Sequence, residues 1–381
     1  MYIQAGSDRI LTTHTGSLPR PPQLAQAIAN RETGTDPIPA PRELASMIAE
    51  AVADVVGRQI ASGVDIVSDG EVSKIGYSTY VKERLSGFGG EQGALSLADL
   101  DDHPAFAERA LGGLVTTMPS CDGPVRYVGQ EALRADLETF AKVLGGSGRR
   151  AFVPAASPGV ISIFLQNHHY PSEEAYLGAV ADAMAVEYRA IVEAGFDLQL
   201  DCPDLAMGRH VQYPHLDLDT FKRRIATHVD ALNHAIEGID PDRIRLHICW
   251  GNYEGPHHHD VELYEILPTV CQAHVGALLF ENANPRHAHE WRVFEEVEVP
   301  ESLVLIPGVI DTSSNYIEHP EVVTERIVRL ANIVGRDRVV AGTDCGFATF
   351  ATFLPVLPSI AWEKLRSLAE GAERATKALW G

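Results

Sequence analysis

Eight short apolar, β-branched stretches separated by longer segments of helical period constrain this chain more than any other feature. They are RILTTH (9–14), VDIVS (64–68), AFVPA (151–155), LQLD (198–201), IRLHIC (244–249), ALLFE (277–281), LVLIP (303–307) and RVVAGT (338–343). Between them run helical patterns such as ELASMIAEAVADVVGRQIAS, SEEAYLGAVADAMAVEYRAIVEAG and DLDTFKRRIATHVDALNHAIEG, several closed by a glycine at the C-cap position. Repeated strand–helix units call for a parallel sheet, and eight of them predict an α/β fold of the closed (β/α)8 TIM-barrel type. A single barrel domain over residues 1–381 takes in all eight. The Gly-rich and charged region at about 86–150 is expected to be an insertion after the second strand, lying over the barrel mouth.

Charge and composition narrow the function classes. A formal net charge of -21 argues against nucleic acid or an anionic membrane as partner. No apolar run reaches membrane-span length, and MYIQAGSDRI lacks the basic and apolar regions of a secretory signal, so a cytoplasmic enzyme is the expectation. Cys121, Cys202, Cys249, Cys271 and Cys345 are too few and too scattered for a disulfide framework. There is no GxxxxGK[ST], GxGxxG or GxSxG signature.

In a barrel, catalytic groups sit where strands end. Here the strand ends carry THTGSLPR, SDGE, ASPG, DCPD, HICWGN, FENAN, PGVIDTSSN and GTDCGF. Four of their residues, His247, Cys249, Glu281 and Cys345, form a candidate metal site. One imidazole, two thiolates and a carboxylate suit Zn2+ and disfavour magnesium or calcium. Four protein ligands read as a structural site unless a thiol substrate displaces the carboxylate, which would give Glu281 a catalytic role. The bland alternative makes Cys249 and Cys345 buried small hydrophobes.

THTGSLPR, SDGE, LQLDCPD, HIC, FEN and GTDCG, in this order on eight units, resemble the catalytic barrel of cobalamin-independent methionine synthase and its superfamily. The resemblance runs from about residue 9 to 350, outside the insertion. It implies zinc held by the four residues just named, with a thiol substrate activated as a zinc thiolate that attacks an alkyl group. It also implies that Ser17, Glu71 and Asp201 hold the amino acid homocysteine. Two carboxylates facing an ammonium make chemical sense; the alternative is that they pair with cations of the barrel itself.

The pattern breaks on the donor side. There is no room for a duplicated N-terminal barrel, and the pterin-stacking tryptophan is missing from SPGVISIFLQNHHY. Ser313 stands where the family has a histidine, and Cys202 stands where it has a glutamate. A second branch, epoxyalkane:coenzyme M transferase, is similar in length and opens an epoxide with a thiolate. A third takes methyl from a corrinoid protein. Epoxide opening would need a proton donor, for which His168, His169 and Tyr170, or the HHH run at 257–259, are candidates; the alternative is loop histidines in solvent.

The leading expectation is a zinc-dependent alkyltransferase carrying methyl to homocysteine, with epoxide opening by coenzyme M as the runner-up. A reading of another class is a non-catalytic barrel with structural zinc. The expected partners are a small-molecule thiol and an alkyl donor, with a corrinoid methyl-carrier protein and a homo-oligomer both allowed.

Overall fold

The computed structural model describes residues 8–111 and 114–381. The opening segment MYIQAGSDRI therefore lies largely outside the described residues. Strands β1 (Val67–Ser68), β2 (Phe88–Gln92), β3 (Pro119–Cys121), β4 (Ala151–Ala156), β5 (Asp197–Asp201), β6 (Ile244–His247), β7 (Ala277–Phe280) and β8 (Val304–Pro307) follow in chain order. Six of them make a parallel sheet in the order β1-β4-β5-β6-β7-β8, and β2 pairs antiparallel with β3 outside it.

Two irregular segments close the barrel. Val340 and Gly342 donate backbone N–H groups to Leu305 and Pro307, Ala341 donates to Leu11, and Thr13 donates back to Ala341. On the far side Ile66 donates to Thr12 at 3.1 Å, so the first and last expected strands join the two edges of the sheet. They are irregular because threonines and an aspartate take over ladder bonds. Thr12 N donates to Asp65 Oδ2 at 2.9 Å, and Thr15 N to Thr343 Oγ1 at 3.1 Å. Every stave is thus a strand or a bridged segment, as eight strand–helix units require.

Alternation sorts each strand into two faces. In β6 and its extension, Ile244, Leu246 and Ile248 belong to the large core between barrel and helices. Arg245, His247 and Cys249 lie on the opposite, inward face. A smaller inner core of Ile66, Phe152, Ala277, Leu279, Val304, Ile306 and Val340 fills the barrel below them. Arg245 crosses this core over the Phe152 ring at 3.9 Å and donates to Thr13 Oγ1 at 2.9 Å.

The expected insertion is shorter than its composition suggests. Helix Gln130–Leu144 packs against helices Pro41–Ala61 and Glu173–Glu193 as the barrel's own helix after the second stave, burying Leu133, Leu137 and Phe140. What remains is the β2–β3 hairpin and the short helices Ala98–Asp101 and Pro104–Leu111. Among the described residues no helix is long and apolar enough to cross a membrane.

Candidate metal centre and its cavity

His247 ends β6 and Cys249 follows two residues on, so the strand pleat brings both side chains into the barrel mouth. Cys345 reaches the same point from the segment after 339–342. The ligand atoms of His247, Cys249 and Cys345 all lie within 4.8 Å of one another, and the three residues are buried. The two Sγ atoms are 3.6 Å apart, too far for a disulfide. Sulfurs each about 2.3 Å from a tetrahedral ion would stand about 3.8 Å apart. His247 Nδ1 lies 3.0 Å from Asp201 Oδ1, while Nε2 is buried with no hydrogen-bond partner among the described residues. A carboxylate behind one imidazole nitrogen and an orphan on the other is the arrangement of a metal-ligating histidine.

Electrostatics describe a site short of positive charge. Burial opposes protonation of His247, yet Asp201 and Cys249 beside it carry its pKa up to about 10. The Cys249 thiol is pushed well above its ordinary value by its bond to Cys345 and by burial. These side chains hold protons that a divalent ion would displace, because metal binding releases them. The donor set, its spacing and the orphaned nitrogen fit zinc.

Glu281 does not join the trio. Its Oε1 accepts the Trp250 N–H at 2.8 Å and its Oε2 the Asn284 amide at 2.6 Å. Asp344, next to Cys345, fastens that loop by accepting the backbone N–H groups of Asn282, Ala283 and Asn284, each at 2.8 Å. Asp344 was not singled out in the sequence, although an acid preceding a strand-end cysteine was a usable signal.

Ser17, Glu71 and Asp201 line one cavity of about 220 Å³ with His247, Cys249 and Cys345. Glu71 sits in a left-handed turn, with φ 53° after Gly70 at φ 69°, a conformation costly for a side-chain-bearing residue and concentrated at functional sites. Burial raises its pKa to about 7, with Lys74 opposing and Asp201 reinforcing. Lys74 Nζ is 3.4 Å from Glu71 Oε2, so the alternative of a barrel cation as partner holds in part for Glu71. Arg20, from THTGSLPR, clamps the turn by donating to the backbone carbonyls of Glu71, Lys74 and Ala348 at 2.7, 2.9 and 2.8 Å. Gly346 is needed where it is, because a Cβ there would lie 1.9 Å from Ser17 Oγ.

Much of the remaining wall is apolar, with Thr15, Thr116, Asn252 and Thr349 among it. Tyr77, Phe164 and Phe350 come from the barrel, and Leu95, Leu97, Leu114 and Met118 from the segments around the hairpin. A second cavity of about 500 Å³, lined by Glu281, Arg286, Asp311, Ser313 and Tyr316, shares Cys345 and Tyr253 with the first.

His168, His169 and Tyr170 are not brought to the site. His168 N donates to Cys121 O at 2.9 Å, fastening this segment beside β3 at the rim, where both imidazoles are exposed. The Tyr170 hydroxyl accepts from Val125 N at 2.9 Å and lines a different pocket. A long-range pairing with β3 thus overrides the expectation that a loop after a barrel strand faces the mouth.

The family described as cobalamin-independent synthase, catalytic domain, matches residues 166–354. A 2-hydroxypropyl-CoM lyase of Xanthobacter autotrophicus is 25% identical over 403 residues, covering 98% of this chain and 96% of that protein. A methionine synthase of Saccharolobus solfataricus is 25% identical over 367 residues, covering 95% and 93%. These matches make the chain similar to cobalamin-independent methionine synthases and their relatives, most directly over residues 166–354. The fold agrees. The solved B12-independent methionine synthase from Shewanella sp. W3-18-1 superposes with a TM-score of 0.71 at 20% identity, covering 97% of this chain and 99% of that one. Both relatives match this chain over nearly their full length.

Proposed function

We propose that this chain is a zinc-dependent transferase that moves an alkyl group, in the leading case methyl, onto the sulfur of a small amino thiol such as homocysteine. The observation that supports it most is the single cavity joining His247, Cys249 and Cys345 to Ser17, Glu71 and Asp201. Zinc in the trio supplies a lowered thiol pKa, so that the substrate sulfur is nucleophilic near neutral pH.

The chain's residues do the rest. His247, steadied by Asp201, would hold the ion with Cys249 and Cys345. Trp250 and Asn284 occupy both oxygens of Glu281, so that it would not compete with the substrate thiol for the trio. Glu71 and the second oxygen of Asp201 take the substrate ammonium, and Ser17 orients its carboxylate. The aromatic and leucine wall excludes water while the sulfur–carbon bond forms and the carbon's bond to its donor breaks. The second cavity is the donor's approach, whether the donor is a folate or a corrinoid methyl-carrier protein.

Charge selects among thiols. Coenzyme M carries a sulfonate, and no Lys or Arg among the described residues lines the first cavity, whereas two carboxylates do. Epoxide opening by coenzyme M is the second reading, favoured by the aliphatic wall and by the full-length similarity to 2-hydroxypropyl-CoM lyase. Calorimetric titration of both thiols into zinc-loaded protein and into Glu71→Gln decides. Homocysteine binding that weakens about tenfold or more in the variant is expected. Tighter coenzyme M binding, indifferent to the variant, moves the assignment to the second reading; binding of neither thiol overturns both.

A further inference from the structure

Away from both cavities, Asp102, His258 and His259 bring their ligand atoms together at the surface, within 4.8 Å of one another. Asp102 Oδ2 lies 3.0 Å from His258 Nε2 and 2.8 Å from His259 Nε2. The His103 ring stands edge-on to that of His258, with centroids 5.6 Å apart. None of these groups has a part in the proposed chemistry. As plain ion pairs at an exposed site they would contribute little to stability. The carboxylate nevertheless comes from a segment distant in sequence from the two imidazoles, and adjacent histidines rarely present both nitrogens to one oxygen. Two histidines and one carboxylate form a three-ligand zinc set whose remaining position takes water.

We propose that Asp102, His258 and His259 form a second, outer site for a divalent transition-metal ion of the zinc, nickel or copper class. Imidazole donors favour these ions over magnesium or calcium. The site joins two segments that border the first cavity. Asp102 follows helix Ala98–Asp101, just beyond Leu97 of the cavity wall, and the histidines lie in the loop that begins near Tyr253. Asp99 already links the same segments, accepting from the Tyr253 hydroxyl and from His257 N at 3.1 Å. An ion across Asp102 and the histidines ties them a second time at their outer edge. Its occupancy therefore restrains the part of the wall that carries Leu95 and Leu97.

Cobalt(II) titration of the full, untagged chain separates the two sites. Cobalt in the Cys249–Cys345 trio gives thiolate-to-metal charge-transfer absorption, and cobalt at the outer site gives none. A band-free equivalent is expected in the wild type and in Cys249→Ser/Cys345→Ser. In His258→Ala/His259→Ala it should be lost or weakened by more than the roughly tenfold that removal of a mere outer-shell partner costs. Asp102→Asn provides an independent variant with the same expectation. Hydrogen exchange of residues 94–102 should slow on adding zinc to the wild type and not to the histidine variant. The proposal is overturned if wild type and both variants take up the same metal with the same affinity, whatever becomes of the charge-transfer band. A failed inner site would appear separately, as absence of that band in the wild type.

Discussion

Replacing Asp201 with asparagine keeps the shape of the side chain and removes the charge behind His247. Asp201 Oδ1 is held between His247 Nδ1 at 3.0 Å and the Gln199 amide at 2.8 Å, and the whole group is buried. An amide there can still accept from Nδ1 through its oxygen, but it no longer strengthens the imidazole as a ligand. Loss of such a partner typically costs about 10- to 100-fold in metal affinity, which corresponds to about 1.4–2.8 kcal/mol. Zinc affinity measured by competition with a chromophoric chelator at fixed pH should fall by that factor, while the metal-free variant melts as a folded protein. Glu71→Gln is the control, because Glu71 lines the same cavity without touching His247, and it should weaken the amino thiol and leave zinc affinity unchanged. An Asp201→Asn protein that binds zinc within about twofold of wild type would refute the view that Asp201 serves the metal.

Other outcomes follow from packing and from titration. Gly346→Ala places a Cβ 1.9 Å from Ser17 Oγ, so it should cost about 1–3 kcal/mol in denaturant unfolding and weaken thiol binding while zinc stoichiometry is retained; unchanged thiol binding would show that Ser17 is not a substrate contact. His228 is buried 2.9 Å from Asp204, and despite the opposing effect of burial its bonds to Asp204 and Glu173 raise its pKa from 6.5 to about 9. Because the folded value is raised, its stabilisation is complete below about pH 6.5 and is lost as the pH rises through about 9, a contribution on the order of 3 kcal/mol. His228→Gln should therefore be clearly less stable than wild type at pH 6, with the gap narrowing toward pH 9; a gap that stays constant would contradict the assignment.

The strand ends were legible because the period-2 pattern separates faces: in IRLHIC the inward positions fall to Arg245, His247 and Cys249. Cys345 could be assigned to the same point only by supposing that the barrel closes, which the backbone bonds of 339–342 to both neighbours bear out. Glu281 is expected among the ligands from its strand-end position. Its actual partners are the backbone N–H of Trp250 and a neighbouring amide, neither of which leaves a mark in residue type. The His168–Tyr170 segment was misplaced because its position depends on pairing with Cys121, 47 residues earlier by numbering. Helix Gln130–Leu144 was absorbed into the insertion because glycine-rich sequence precedes it, although Leu133, Leu137 and Phe140 lie on one helical face. The Asp102–His258–His259 convergence was out of reach for the same reason as the His168 segment: only the fold brings residue 102 to 258.

The most direct test of the account is proton release on thiol binding, measured with zinc-loaded and chelated protein side by side. The account predicts zinc near one equivalent in the inner trio, lost in Cys249→Ser/Cys345→Ser, and a proton released when homocysteine binds to the zinc form alone. Equal thiol binding without zinc, or homocysteine-linked proton release that survives loss of both cysteines, would contradict it.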